Sequence, residues 1–327
     1  AREAIMKIQK VETIVASGGW RPWLFVRIRT DEGITGYSEC SDSFGSLPAI
    51  IACVRHLADL LEGQTIDSVE HTYWRLFRLT RQSSGGAVQK AIAGVENALL
   101  DVKARSLGVP VYELLGGPMR RDLRVYWSHC GSTRVRSFEH VNQKPIKSYE
   151  DVRELGREVV ERGYTALKTN MILLDGDTPG VLMQGYRDGP GEAALTLDKS
   201  VIRQVEKLVA AFREGTGPDC DIMVDFNSHL RADGNYRLAK ALEPFDLFWL
   251  EVDSTDARAL RELKDRVSMP IASCENMLGP RAVRPFLESR SADVIVIDVL
   301  RNGLWQSKKI ADMAETYDMN VATHNHY

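Results

Sequence analysis

What the chain lacks narrows its function first. None of its apolar stretches approaches the ~20 residues needed to span a bilayer. The opening "AREAIMKIQK" holds no apolar run of the kind a secretory leader requires. No Asn-x-Ser/Thr sequon occurs, and the five cysteines (Cys40, Cys53, Cys130, Cys220, Cys274) form no Cys-x-x-Cys pair. An odd, dispersed set reads as reduced thiols, so a cytoplasmic location is expected. Excess charge of one sign is missing as well: the formal net charge is −3 and the isoelectric point near 6.2. Neither nucleic acid nor an anionic membrane then has an electrostatic reason to bind, and a small molecule is the expected partner.

What is present is an ordinary globular composition, 44% apolar and 27% charged, over 327 residues. That length exceeds the usual single core and calls for one large barrel or two domains. Residues 1–123 read as an α+β domain. "KVETIVAS" and "PWLFVRIRTDEGITGYSEC" are strand-like, the second turning at Asp31–Gly33, and helical stripes follow at about 47–62, 65–80 and 86–107. From residue 124 to 327 the rhythm becomes strand then helix. The strands are "RVYWSHC", "TALKTN", "DIMVDFN", "LFWLE", "PIASCE", "DVIVID" and "NVATH". Seven such units favour a parallel (β/α) barrel over an open sheet. The sequence stops at Tyr327 after the seventh strand, so an eighth is absent from it and truncation is expected.

Each strand from the second onward closes on a polar or ionisable group: Lys168 and Asn170, Asp225 and Asn227, Glu251, Glu275, Asp298, and His324. A barrel gathers its strand C-termini around one mouth, where active sites of such folds lie. One acid at a strand end commonly caps the next helix or pairs with a base. Three from successive strands repel unless a cation sits between them, and an all-oxygen set suits Mg²⁺. Lys168 should point inward across from that metal. Asp298 and His324 end adjacent strands and can form a hydrogen-bonded pair, although His326 shares the strand face and spacing leaves the choice open.

The ordered set "GYTALKTN", "MVDFN", "FWLE", "IASCE", "DVIVIDVLRNG" and "THNHY" resembles the enolase superfamily, mandelate racemase branch, along essentially the whole chain. The resemblance implies an α+β capping domain on a modified TIM barrel. It also implies Mg²⁺ held by Asp225, Glu251 and Glu275, and a catalytic dyad of Asp298 and His324. That family uses a base and Mg²⁺ to form an enediolate from a carboxylate substrate. Lys168 matches the first lysine of the family's Lys-x-Lys, which neutralises the substrate carboxylate, but the second lysine, a base on the opposite face, is here Asn170.

A two-base racemase is thereby disfavoured, and the enediolate is expected to expel a β-hydroxyl. Members with Lys-x-Asn look like acid-sugar dehydratases, of galactonate dehydratase type, so the expected activity is hydro-lyase conversion of a sugar acid to a 2-keto-3-deoxy acid. In such members a histidine two residues after the first metal ligand protonates the leaving hydroxyl. That position is Asn227 here, with His229 two further on, so His324 is the other candidate. Substrate contacts are expected from Asn170, Asn227 and His229, from Trp20 in "SGGWRPW" and a second lid loop "ECSDSFGS", and from Tyr186 and Arg187 in the long loop after the second strand. Alternatives are a single-base epimerase or cycloisomerase, or a metal-binding barrel without catalysis. A homo-oligomer is expected.

Overall fold

The computed structural model describes residues 6–19, 21–42, 46–182, 197–227 and 230–324. The first part is a three-stranded antiparallel meander of β1 (Ile8–Ser17), β2 (Pro22–Thr30) and β3 (Thr35–Glu39). Gly33, at φ +82°, makes the tight turn between β2 and β3. Alternation on β2 sends Leu24, Val26 and Ile28 to one fully buried face. That face is covered by α1 (Leu47–Leu61), α2 (Val69–Thr80) and α3 (Gly86–Leu107), which share one core with it. α3 ends where Gly108 takes the left-handed conformation just before Val109 and Pro110.

The second part opens with α4 (Ser132–Arg136) and α5 (Tyr149–Glu161), the latter begun by a Ser148–Asp151 capping box. Then come β4 (Ala166–Asn170) and a small hairpin of β5 (Ile172–Leu173) and β6 (Gly180–Val181). α6 (Lys199–Thr216), β7 (Asp221–Asp225), α7 (Ala232–Leu242), β8 (Trp249–Glu251) and α8 (Ala257–Lys264) continue the rhythm. β9 (Ile271–Ser273), α9 (Gly279–Glu288), β10 (Val294–Asp298), α10 (Val299–Asn302), α11 (Leu304–Thr316) and β11 (Asn320–His324) complete it. Among the described residues no helix is long and apolar enough to cross a membrane.

Six of these strands form one parallel sheet, ordered β11-β10-β9-β8-β7-β4. Its helix-covered face holds Leu167, Ile222, Val224, Leu250, Ile271, Ile295 and Ile297 in the large second core. Its concave face carries a smaller cluster of Ala166, Met223, Trp249, Ala272, Val294 and Val296, with Tyr126 and Ala322 against it. The architecture is the modified TIM barrel, with a capping domain before it. One expected strand is corrected. "RVYWSHC" forms only an isolated parallel bridge, Trp127 to Leu167, held by Trp127 N–H to Ala166 O and Lys168 N–H to Trp127 O. His129 at φ +51° and Gly131 at φ +91° bend the backbone out of extension there.

Candidate active site

The sheet register builds the site. On β4, Ala166 lies in the inner cluster, so period-two alternation turns Lys168 and Asn170 the same way. The same step of two carries Met223 to Asp225, Trp249 to Glu251, Val296 to Asp298 and Ala322 to His324. An apolar plug is thus topped by one polar layer at the strand C-termini. Pairing aligns that layer: Asn170 opposite Asp225, Asp225 opposite Glu251, and Asp298 opposite His324. Glu275 reaches it differently. Strict alternation from Ala272 would aim residue 274 inward, but Cys274 takes φ +93° and joins the outer core instead. That strained turn gives Glu275 to the mouth.

Lys168, Asn170, Asp225, Glu251, Glu275 and Asp298 are all buried. Buried charges require partners, and each has one. Lys168 points inward, its Nζ 2.6 Å from Glu251 Oε2 and 3.9 Å from Asp225 Oδ2. Burial works against its charge, but Glu251 and Asp225 outweigh burial and hold it above the ordinary amine range. Asp225 receives the backbone N–H of Asn227 at 2.7 Å and its amide at 3.0 Å, with Asn227 itself at φ +51°. Asn170 Nδ2 approaches Asp225 Oδ2 and Asn227 Oδ1, each at 3.4 Å, while its Oδ1 accepts from Ser132 Oγ at 2.8 Å. Burial first, with neighbouring carboxylates adding to it, pushes Asp225 and Glu251 above the ordinary carboxylate range despite Lys168.

At the other end of the sheet, His324 Nδ1 is 3.0 Å from Asp298 Oδ2 and His324 Nε2 is 3.1 Å from Glu275 Oε2. Burial opposes charge on the ring, but the Asp298 hydrogen bond and the Glu275 and Asp298 charges outweigh it and raise His324. Burial likewise opposes the Asp298 charge and is outweighed by His324 and Arg301, which lower that carboxyl.

The donor set fits a hard divalent cation. It is all carboxylate oxygen, burial first and then a neighbouring carboxylate (Glu275 on Asp225, Asp225 on Glu251) push two of its members toward protonation, and Glu251 Oε1 is buried with no hydrogen-bond partner. Among the described residues no three acidic, histidine or cysteine groups close on a common point at ligand distance. Lys168 engages one Glu251 oxygen and His324 one Glu275 oxygen.

Three partners went unread in the sequence. Asp253, two residues past Glu251, accepts from Asn276 Nδ2 at 2.6 Å, and burial together with the Glu275 charge raises it well above the carboxylate range. Arg301 donates its backbone N–H to Asp298 Oδ1 at 2.9 Å, places Nε 3.2 Å from Oδ2, and its guanidinium contacts Asn276 Oδ1. Ser132 follows the strand that did not form. The signal for the first two was adjacency to strand-end acids, in "EVD" and "DVLRN". Trp20, Tyr186, Arg187, His229 and His326 lie outside the described residues.

A cap over a parallel half-barrel, with three acids, a lysine and an Asp–His pair at the strand ends, defines a class, and comparison with known proteins agrees. Residues 151–327 match the enolase C-terminal domain-like model, and residues 3–116 match the mandelate racemase / muconate lactonizing enzyme N-terminal domain. The chain belongs to the mandelate racemase and muconate lactonizing enzyme branch of the enolase superfamily. It is 30% identical over 323 residues to a D-galactonate dehydratase of Xanthomonas euvesicatoria, covering 98% of this chain and 75% of that one. It is 27% identical to a D-gluconate dehydratase of Thermoproteus tenax, spanning 60% of that protein's length. A Burkholderia xenovorans structure, provisionally named an L-alanine-DL-glutamate epimerase and bound to magnesium and fumarate, superimposes at TM-score 0.93 with 38% identity, covering 98% of this chain and 79% of that one.

Proposed function

We propose that the chain is a Mg²⁺-dependent hydro-lyase that removes water from a sugar acid to give a 2-keto-3-deoxy acid. The observation that carries this reading is the one-sided placement of proton-transfer groups. The Asp298–His324 pair stands on β10 and β11 at one end of the sheet, and β4 at the opposite end offers, beyond Lys168, whose ammonium is paired with Glu251, only the amide of Asn170. An amide neither takes nor returns a proton at neutral pH, so an enediolate made by His324 is discharged on the His324 side. Loss of a β-hydroxyl does this, and the enol product tautomerises to the 2-keto acid. The dehydratase names among the relatives agree with it.

His324 takes the α-proton, with Asp298 orienting the ring through Nδ1 and compensating the imidazolium. Lys168, charged and buried, faces the substrate carboxylate as its negative charge grows. Asp225, Glu251 and Glu275 would hold the ion, whose chemistry is to place positive charge beside that carboxylate. Once protonated, His324 returns the proton to the departing hydroxyl when both lie on its face. Asn170, Asn227 and, beyond the described residues, His229, Trp20, Tyr186 and Arg187 contact the polyol.

The second reading is a single-base epimerase, favoured by the name of the Burkholderia structure. Incubation of the purified chain with a panel of aldonic and aldaric acids and Mg²⁺, followed by semicarbazide detection, separates the two. Dehydration yields a semicarbazone-forming 2-keto acid. An inverted but otherwise unchanged acid, with no keto product from any member, rejects the proposal.

A further inference from the structure

α11 begins without a cap of its own. Gly303 precedes it and offers no side chain, so the first N–H groups of the helix have no local acceptor. They are satisfied from the capping domain. Asn97 Oδ1, on α3, accepts the Leu304 N–H at 2.7 Å, and Glu96 Oε1, one residue before it, accepts the Trp305 N–H at 2.7 Å. The Gln306 N–H adds to the same stabilisation of Glu96. These partners are more than 200 residues apart in sequence. α2 joins the grip: Glu70 accepts the Trp305 indole N–H and pairs with Lys309. The approach is too close for a side chain at residue 303, since a Cβ there would sit 2.7 Å from the Glu96 carboxyl, and Gly303 also takes φ +86°.

The segment gripped this way continues directly from the dyad. Asp298 ends β10 and caps α10 through the Arg301 N–H, and α10 runs to Gly303. Buried Asn302 ties α10 to the loop after Glu275, accepting from the Gly279 N–H at 2.7 Å and donating to Met277 O at 3.1 Å. Residues 298–306 therefore form a bracket with the Asp298 carboxylate at one end and the α3 side chains at the other. α3 packs on both α10 and α11.

We infer that Glu96 and Asn97 are positioning residues for the Asp298–His324 pair, so that the capping domain sets the geometry of the barrel's base as well as covering its mouth. The inference rests on the proposed dyad, and its experiment reads the coupling independently of turnover. In the full chain with Mg²⁺, the double variant E96A/N97A leaves the partly buried Leu304 and Trp305 N–H groups without their acceptors. Amide exchange should quicken by about tenfold both at 304–306 and, through the bracket, at 299–302. In histidine-labelled protein the Nδ1–H resonance of His324, assigned by its loss in His324→Asn, should shift or broaden. Dehydration kcat should fall on the order of 10- to 100-fold with KM little changed, as expected of misplaced chemistry rather than lost binding. Glu96→Gln, which keeps an acceptor oxygen, should restore most of each signal. Faster exchange confined to 304–306 with the His324 resonance unmoved overturns the inference, as does an unmoved kcat. If the unaltered chain dehydrates no sugar acid, the functional proposal fails, while exchange and the histidine resonance still decide this one.

Discussion

Both carboxylate oxygens of Asp298 are engaged: Oδ1 accepts the Arg301 N–H, and Oδ2 meets both His324 Nδ1 and Arg301 Nε. Asparagine at 298 retains the helix-capping oxygen but neither fixes the same ring tautomer nor compensates an imidazolium. Asp298→Asn should therefore fold normally and lose activity to within about tenfold of His324→Ala, because the pair acts as a unit. Near-normal turnover in Asp298→Asn removes the dyad from the mechanism. Glu251 carries a second prediction. With Asp225 and Glu251 both raised by burial, their protonated forms stabilise the metal-free protein at low pH, and that contribution is lost as pH rises through their raised values. Mg²⁺ at about 100 times its Kd should return about 2.7 kcal/mol, read as a rise in Tm at neutral pH. Glu251→Gln should show little of that rise, and an equal rise in this variant would place the ion elsewhere. The acids were legible as residues because each closes an apolar run of the sequence, although in the structure Glu275 lies past the end of β9 at Ser273. The Lys168–Glu251 contact was not, since spacing identifies the strand that carries a lysine but not which way its long flexible side chain turns.

At the scale of elements, alternation and helical periodicity located most of the scaffold: α3 runs Gly86–Leu107 as its stripe implied, and β2 and β3 flank the Asp31–Gly33 turn. The segment 124–130 misled because its composition is strand-like while its extended pairing is limited to one bridge and ends at the positive φ of His129. Local pattern reports propensity and cannot report whether a neighbour is there to pair with. The junction of α3 with α11 was equally silent, because its acceptors and donors are far apart in the chain. Glu96 there is raised to about 7, chiefly by burial, with the Trp305 and Gln306 N–H groups and Lys309 opposing and Glu70 adding to the rise. Its folded value lies above its ordinary 4.5, so the protonated form stabilises the fold below that value and the contribution disappears as pH rises through about 7. Roughly 3 kcal/mol is at stake across the window. Urea unfolding at about pH 5 and about pH 8 should show this loss in the unaltered chain and a smaller one in Glu96→Gln, whose neutral amide has no proton to lose. Identical pH slopes for the two proteins would show that Glu96 is ionised throughout.

For the whole molecule, the strand order matters more than any single contact. β4 and β11 are the two ends of the six-stranded sheet, so Asn170 and His324 flank the mouth from opposite sides with the acids of β7 and β8 and Glu275 between them. The neighbour order was legible from sequence, because a right-handed strand–helix rhythm lays successive strands side by side, but the end position of β4 was not, since it follows from the failure of "RVYWSHC" to pair beyond one bridge. In the proposed reaction, a substrate carboxylate held by Lys168 and by the ion that the acids would bind presents one face of its α-carbon to His324 and the other to an amide. The chain should accordingly exchange the C2 proton of only one configuration, and analogues lacking the β-hydroxyl should take up solvent deuterium there without inversion, as followed by proton NMR and chiral chromatography. The amide is well held, by Ser132 on one side and Asp225 and Asn227 on the other, so no proton carrier displaces it without breaking those bonds. Asn170→Lys would add a base on the second face and a cation beside Lys168 together. Some inversion should appear in that variant at a reduced overall rate, since a second buried ammonium competes for the Asp225 and Glu251 oxygens. Exchange of both configurations at similar rates by the unaltered chain would mean that a second base, Lys168 or a group outside the described residues such as His229 or His326, serves the second face, and the one-base mechanism would then give way to a two-base one.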